Sequence, residues 1–168
     1  MHLCVLLLLL CSWRGSGHSL PLKEIPLLQN KTRSAIIDEM LCLLKNEQPP
    51  SKEKLTTPTC VKSTSCACDN TEEFIHQLNR FESPCMKIVT KDLITLRDNC
   101  LIMKHKSHGN SCTEIRADFS KFRSNLEEFL KWLSQRNNCT SIMRDEVDLY
   151  GYSESSCSQL QKHCRERL

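Results

Sequence analysis

Glycine is nearly absent from this chain, at 4 residues in 168. Tight β-hairpins draw on glycine for backbone angles that other residues avoid, so a turn-rich sheet architecture is excluded. After the first dozen residues there is no apolar run near the roughly 20 residues that a spanning helix needs. Charge of one sign is also lacking: the net charge is +3 with histidine neutral, too mild for a nucleic-acid partner. Motifs that carry catalysis are missing as well. There is no Gly-rich phosphate loop, no G-x-S-x-G and no H-E-x-x-H. The six histidines are scattered, and His76 reads as a surface residue. No enzyme and no cofactor is expected.

Cysteine is what the chain has instead, 12 residues of it. The run Leu3 to Cys11 is apolar, begins near the start methionine and is followed by the small residues Gly15, Ser16, Gly17 and Ser19. That pattern reads as a signal peptide over residues 1–19. Its removal takes Cys4 and Cys11 and leaves Cys42, Cys60, Cys66, Cys68, Cys85, Cys100, Cys112, Cys139, Cys157 and Cys164. An even number in a secreted chain permits full pairing into disulfides. Cys66-x-Cys68 with His163-Cys164 has some look of a metal site, but disulfides are the expectation outside the cell. Asn30-Lys31-Thr32 and Asn138-Cys139-Thr140 are glycosylation sequons.

Between the cysteines lie four helical patterns. The first is predicted over 33–46, with Ile36, Ile37, Met40, Leu41 and Leu44 at three- and four-residue steps and Thr32 or Ser34 as cap. Pro49-Pro50 closes it. The second is predicted over 69–82, with Phe74, Leu78 and Phe81 on one face and Ser83-Pro84-Cys85 as its stop. The third is predicted over 86–103 on the stripe Met86, Val89, Leu93, Leu96, Cys100, Met103. The fourth is predicted over 113–135 on Ile115, Phe119, Phe122, Leu126, Phe129 and Leu133, with Trp132 off the stripe.

Residues 20–139 are therefore read as an all-α, up-up-down-down four-helix bundle cross-linked by disulfides. The long connection 47–68, and the marginally long one at 104–112, are the crossovers, and the link at 83–85 is short. Two short strands within the long loops are allowed. Residues 140–168 are a cysteine-containing tail in which 159–167 can form a short helix.

The segment 110–139, NSCTEIRADFSKFRSNLEEFLKWLSQRNNC, resembles the last helix of interleukin-4 and its relatives, with a cysteine before the helix and another after it. Cys68 through Cys85 resembles that family's second helix, and Ile37-Asp38-Glu39-Met40 resembles its first. The chain thus looks like a short-chain four-helix cytokine of the interleukin-4/interleukin-13 branch. Interleukin-3 is a close rival on DFSKFRSNLEEFL and IIDEMLCLLK.

The resemblance implies a secreted, monomeric signal that bridges two cell-surface receptor chains without inserting in the membrane. It implies a disulfide from Cys60 to Cys85, and one from Cys68 or its neighbour Cys66 to Cys112. It also implies receptor contact through Asp38 and Glu39 on the first helix and Lys91 and Arg97 on the third. Trp132 on the fourth is either an edge filler or a further contact. A disulfide-rich secreted binding protein of another kind, such as a helical lipid carrier, is the alternative from a different class.

Overall fold

The computed structural model describes residues 32–48, 53–106, 112–136, 139 and 156–166, with side chains in the last of these described for 159–164. The fold is mostly helical, with a short two-stranded sheet and three described disulfides. The elements are α1 (Arg33–Asn46), β1 (Leu55–Pro58), α2 (Ala67–Leu78), α3 (Pro84–Asn99), a 3-10 turn (Leu101–Met103), β2 (Glu114–Ala117), α4 (Phe119–Ser134) and α5 (Ser156–Glu166).

Helix starts follow local chemistry. The Thr32 side chain accepts a hydrogen bond from the Ala35 N–H at 3.2 Å, which satisfies one of the first-turn donors of α1. Ser83 caps α3 by accepting from the Met86 N–H, and Pro84 follows at the first helical position, where its missing N–H costs nothing. That pair begins α3 two residues earlier than the apolar stripe alone predicts. Asp118 caps α4, accepting from the Lys121 N–H at 2.9 Å.

The helix ends depart from the periodic pattern at three places. The second helix stops at Leu78, and residues 79–83 turn the chain into α3, although Phe81 stays in the core. The third stops at Asn99, because Cys100 takes extended backbone angles and bonds to Cys139. Met103 keeps its place on the stripe from within the 3-10 turn and is fully buried. The predicted first turn of the fourth helix is instead strand β2. It pairs antiparallel with β1 in the register Leu55↔Ala117, Thr56↔Arg116, Thr57↔Ile115, Pro58↔Glu114. Ile115 therefore lies at 43% exposure, outside the core it was expected to join.

α1 packs against α3 and α4, α2 packs against α3 and β1, and α4 also lies on β1. All five phenylalanines are buried. Phe74 of α2 is central, with its ring 5.7 Å from Phe122 (edge-on) and 5.4 Å from Phe129. Phe81 meets Phe119 and Phe122. Each such ring removed from water contributes about 1.5–3 kcal/mol, and favourable ring geometry adds to that. Asn125 fixes the sheet to this core: its buried amide donates to the Pro58 carbonyl at 2.9 Å and to Thr57 Oγ1 at 3.2 Å.

The segments 1–19 and 140–155, and the sequon residues Asn30 and Asn138, lie outside the described residues, as does the side chain of Cys157. Among the described residues no helix is long and apolar enough to cross a membrane.

Candidate functional site

Cysteine placement organises the surface. Cys66 sits just ahead of α2 and is bonded to Cys112, with Cα atoms 5.7 Å apart. Cys68 is two residues further on, about 200° around the helix, and is a buried free thiol. Neighbours at this spacing cannot both face the connector, and Cys66 is the one that does. This corrects the assignment of Cys68 to Cys112. Burial pushes the Cys68 thiol up from its ordinary range, and the charges of Asp69 and Glu72 push it further. The expected Cys60–Cys85 bond is also absent. Cys85 is disulfide-bonded, but Cys60 is an exposed free thiol. The reason is the ribbon: Cys60 lies at its outer end beyond Thr59, whereas Cys85 is buried in the first turn of α3.

The tail helix α5 covers α1 and touches α3. Cys42 of α1 is bonded to Cys164 of α5. One turn before each partner, Gln161 donates to the Glu39 carboxylate at 2.6 Å, and both side chains are buried. The two pairs, 39 with 161 and 42 with 164, have the same three-residue step, so α1 and α5 run parallel along one seam. Asp92 of α3 is fully buried as well. Glu39 is consequently not an exposed contact; the tail helix takes that surface.

The other expected contacts differ in exposure. Asp38 is half-buried and accepts a hydrogen bond from Ser34 at 3.3 Å. Lys91 is exposed on α3. Arg97, six residues further and about 120° around the helix, reaches Glu72 of α2 at 3.2 Å and its neighbour Asp98 at 3.0 Å. The hydrogen bond to Asp98, aided by both carboxylate charges, stabilises its guanidinium despite partial burial. Trp132 is buried, with its ring stacked on Phe129 at 6.0 Å and the Arg136 guanidinium 4.8 Å from its centre. It is an edge filler rather than a protruding contact.

Two further charged features lie on the outer surface. A shallow groove beside Trp132 is lined by Lys62, Glu127, Glu128 and Lys131. There the hydrogen bond and charge of Lys62 hold the Glu128 carboxyl below its ordinary value. At the ribbon, Glu114 is pushed up by desolvation and by the charges of Glu73 and Asp69 on α2.

Among the described residues no group of three His, Cys, Asp or Glu side chains is placed to hold a metal ion. Comparison with known proteins gives no matching family model, no matching curated protein and no matching solved structure.

Proposed function

We propose that the chain is a secreted short-chain four-helix cytokine of the interleukin-4/interleukin-13 type. In this reading it binds two cell-surface receptor chains and holds them together, and it does so by binding alone. α1–α4 are the up-up-down-down bundle of this proposal, and α5 is an addition to it.

The observation that carries the reading is the pairing of β1 with β2. In an up-up-down-down order, the first-to-second and third-to-fourth connections each travel the bundle length, and the middle one is short. Here the connections before α2 and before α4 are both long, and they lie side by side as an antiparallel ribbon. The middle connection is only residues 79–83. Cys66–Cys112 fastens the ribbon end to the start of α2. The packing of α1 against both α3 and α4 fits the same order.

The receptor face of this proposal is redrawn from the sequence expectation. Asp38, Lys91 and Arg97 remain at or near the surface, while Glu39 and Trp132 are withdrawn from it. The exposed side of α5, with Gln159, Lys162 and His163, extends the α1/α3 face. Small interfaces are dominated by a few anchors. Reversing charge with Asp38→Lys and Lys91→Glu is therefore expected to weaken receptor binding at least tenfold without a change in thermal unfolding. Unchanged affinity in both variants removes the α1/α3 face from the proposal.

A further inference from the structure

The two edges of the ribbon are not alike. On β1, Pro58 has no N–H to give, so its pair with Glu114 is a non-bonded position of the ladder. The bond from the Thr59 N–H to the Thr113 carbonyl, 3.0 Å long and just beyond that pair, agrees with this phase. Bonded and non-bonded pairs alternate along an antiparallel ladder. Ile115 therefore exchanges its backbone bonds with Thr57, whereas the N–H and carbonyl of Glu114 and Arg116 point away from β1. The missing N–H of Pro58 blocks the β1 edge, and β1 also packs against α2 and α4. On β2, Glu114, Ile115 and Arg116 are all exposed. Among the described residues no backbone group bonds to the outward side of Glu114 or Arg116.

An open edge is a template for another strand, and the sequence of this one is complementary to itself. Glu114, Ile115 and Arg116 run acid, apolar, base. A closed dimer has two-fold symmetry, so two copies of β2 would run antiparallel, with outward-bonding residues opposite each other. Setting Glu114 against Glu114, or Arg116 against Arg116, places like charges together, which destabilises a cross-strand pair. Setting Glu114 against Arg116 places opposite charges together, and symmetry repeats that pair. The same register brings Ile115 to Ile115 at a non-bonded position, where side chains approach most closely. We infer that the outer edge of β2 is a self-pairing surface, on which a second copy of this chain adds its own β2 in the Glu114-to-Arg116 register.

The surroundings of each residue fit that occupant. Ile115 is on the ribbon face that carries Leu55, Thr57 and Ala117; those three are buried, yet Ile115 is 43% exposed. The second copy's Ile115 covers it. Glu114 is on the opposite face, where desolvation and then the charges of Glu73 and Asp69 push its carboxyl up. A two-fold axis normal to the ribbon keeps each face on its own side, so the second copy's Arg116 reaches Glu114 on this acidic side. Arg116 makes no ion pair among the described residues, so its charge is available. The contact is only a few residues long and falls below the area of a stable interface. The dimer is therefore weak, and the dilute chain is a monomer. This surface uses none of the receptor-face residues proposed above and does not depend on that reading.

Sedimentation velocity of the full oxidised chain, from about 20 µM to about 1 mM, covers the range of such weak contacts. The expected result is a monomer at the low end and a growing dimer fraction toward the high end. Arg116→Glu alone, and Glu114→Arg alone, should each raise the dissociation constant by about fivefold or more, since each sets like charges opposite. The double swap Glu114→Arg plus Arg116→Glu restores opposite charges and should restore the dimer. A cross-link reads the register directly. Paired Cα atoms at a non-bonded position are about 4.5 Å apart, within the roughly 4.4–6.8 Å that a disulfide bridges. Ile115→Cys, made together with Cys60→Ser to remove the exposed thiol, should therefore oxidise to a dimer linked at position 115 in both copies. A chain that stays monomeric at the highest concentration leaves the edge to an extended segment of another protein and overturns the proposal. So does a dimer that both single reversals leave unchanged, or one that forms no link at position 115.

Discussion

Gln161 of the tail helix donates a hydrogen bond to Glu39 of the first helix at 2.6 Å, across 122 residues of sequence and beneath the surface. The Cys42–Cys164 disulfide lies one turn away on the same seam. A buried carboxylate is tolerated only when its oxygens are hydrogen-bonded, so the tail helix and Glu39 depend on each other.

Breaking that seam should be measurable. Replacing the disulfide with Cys42→Ser plus Cys164→Ser should lower unfolding free energy by about 2–4 kcal/mol, given the long loop it closes. Gln161→Leu should cost about 1–3 kcal/mol by removing a partner from buried Glu39. Urea unfolding of the oxidised chain measures both, and a loss below 0.5 kcal/mol (roughly the floor for such a contact) contradicts the buried seam.

Asn125 holds β1 on α4 through two hydrogen bonds. Asn125→Leu leaves the Pro58 carbonyl without this donor in a buried place, and should cost about 1–3 kcal/mol. Amide hydrogen exchange should accelerate first in residues 55–59 and 113–117, the ribbon, with α3 unaffected.

Phe74 stands among Phe122 and Phe129 with no exposed surface. Phe74→Ala should destabilise by about 3–5 kcal/mol, and Phe74→Leu by much less. Chemical denaturation of the two variants side by side distinguishes a packed ring cluster from a loose one.

The two perturbed glutamates predict opposite pH effects. Glu114 has a raised folded value, so its ionised form opposes folding once pH exceeds that value, and the penalty is gone below the unfolded value. Glu114→Gln should raise the melting temperature at pH 7 and leave it unchanged near pH 3. Glu128 has a lowered folded value, so its stabilisation is present above the unfolded value and is lost as pH falls through the folded one. Because that pair is solvent-exposed, Glu128→Gln should lower stability only slightly at pH 7, by about 0.2–1 kcal/mol, and not near pH 3. Calorimetry at both pH values reads all four numbers.

The helices were legible because their apolar residues recur at helical steps, and Ile36, Met40, Leu93, Leu126 and Phe129 are indeed buried. The start of the fourth helix was misread because Ile115 fits the helical stripe equally well; only pairing with Thr57, nearly sixty residues away, makes that stretch a strand. Glu39 looked like an outward acid because nothing near it in sequence announces the helix that covers it. Trp132 was assigned by stripe geometry alone, whereas its burial comes from Phe129 and the turn at Arg136. The choice between Cys66 and Cys68 could have been narrowed locally: a residue just ahead of a helix faces the connector, and one in its first turn faces the core. That Cys60 is unpaired could not, since nothing local in its sequence sets it apart from the other cysteines.

In the proposed function, the chain signals by joining two receptor chains. The decisive measurement is the mass in solution of the oxidised chain mixed with paired ectodomains of the interleukin-4, interleukin-13 and interleukin-3 receptors, by light scattering after size exclusion. A 1:1:1 complex with one pair from the interleukin-4/interleukin-13 branch is expected. A complex only with interleukin-3 receptor chains moves the assignment to that branch, and elution of the free chain with every pair contradicts the cytokine reading.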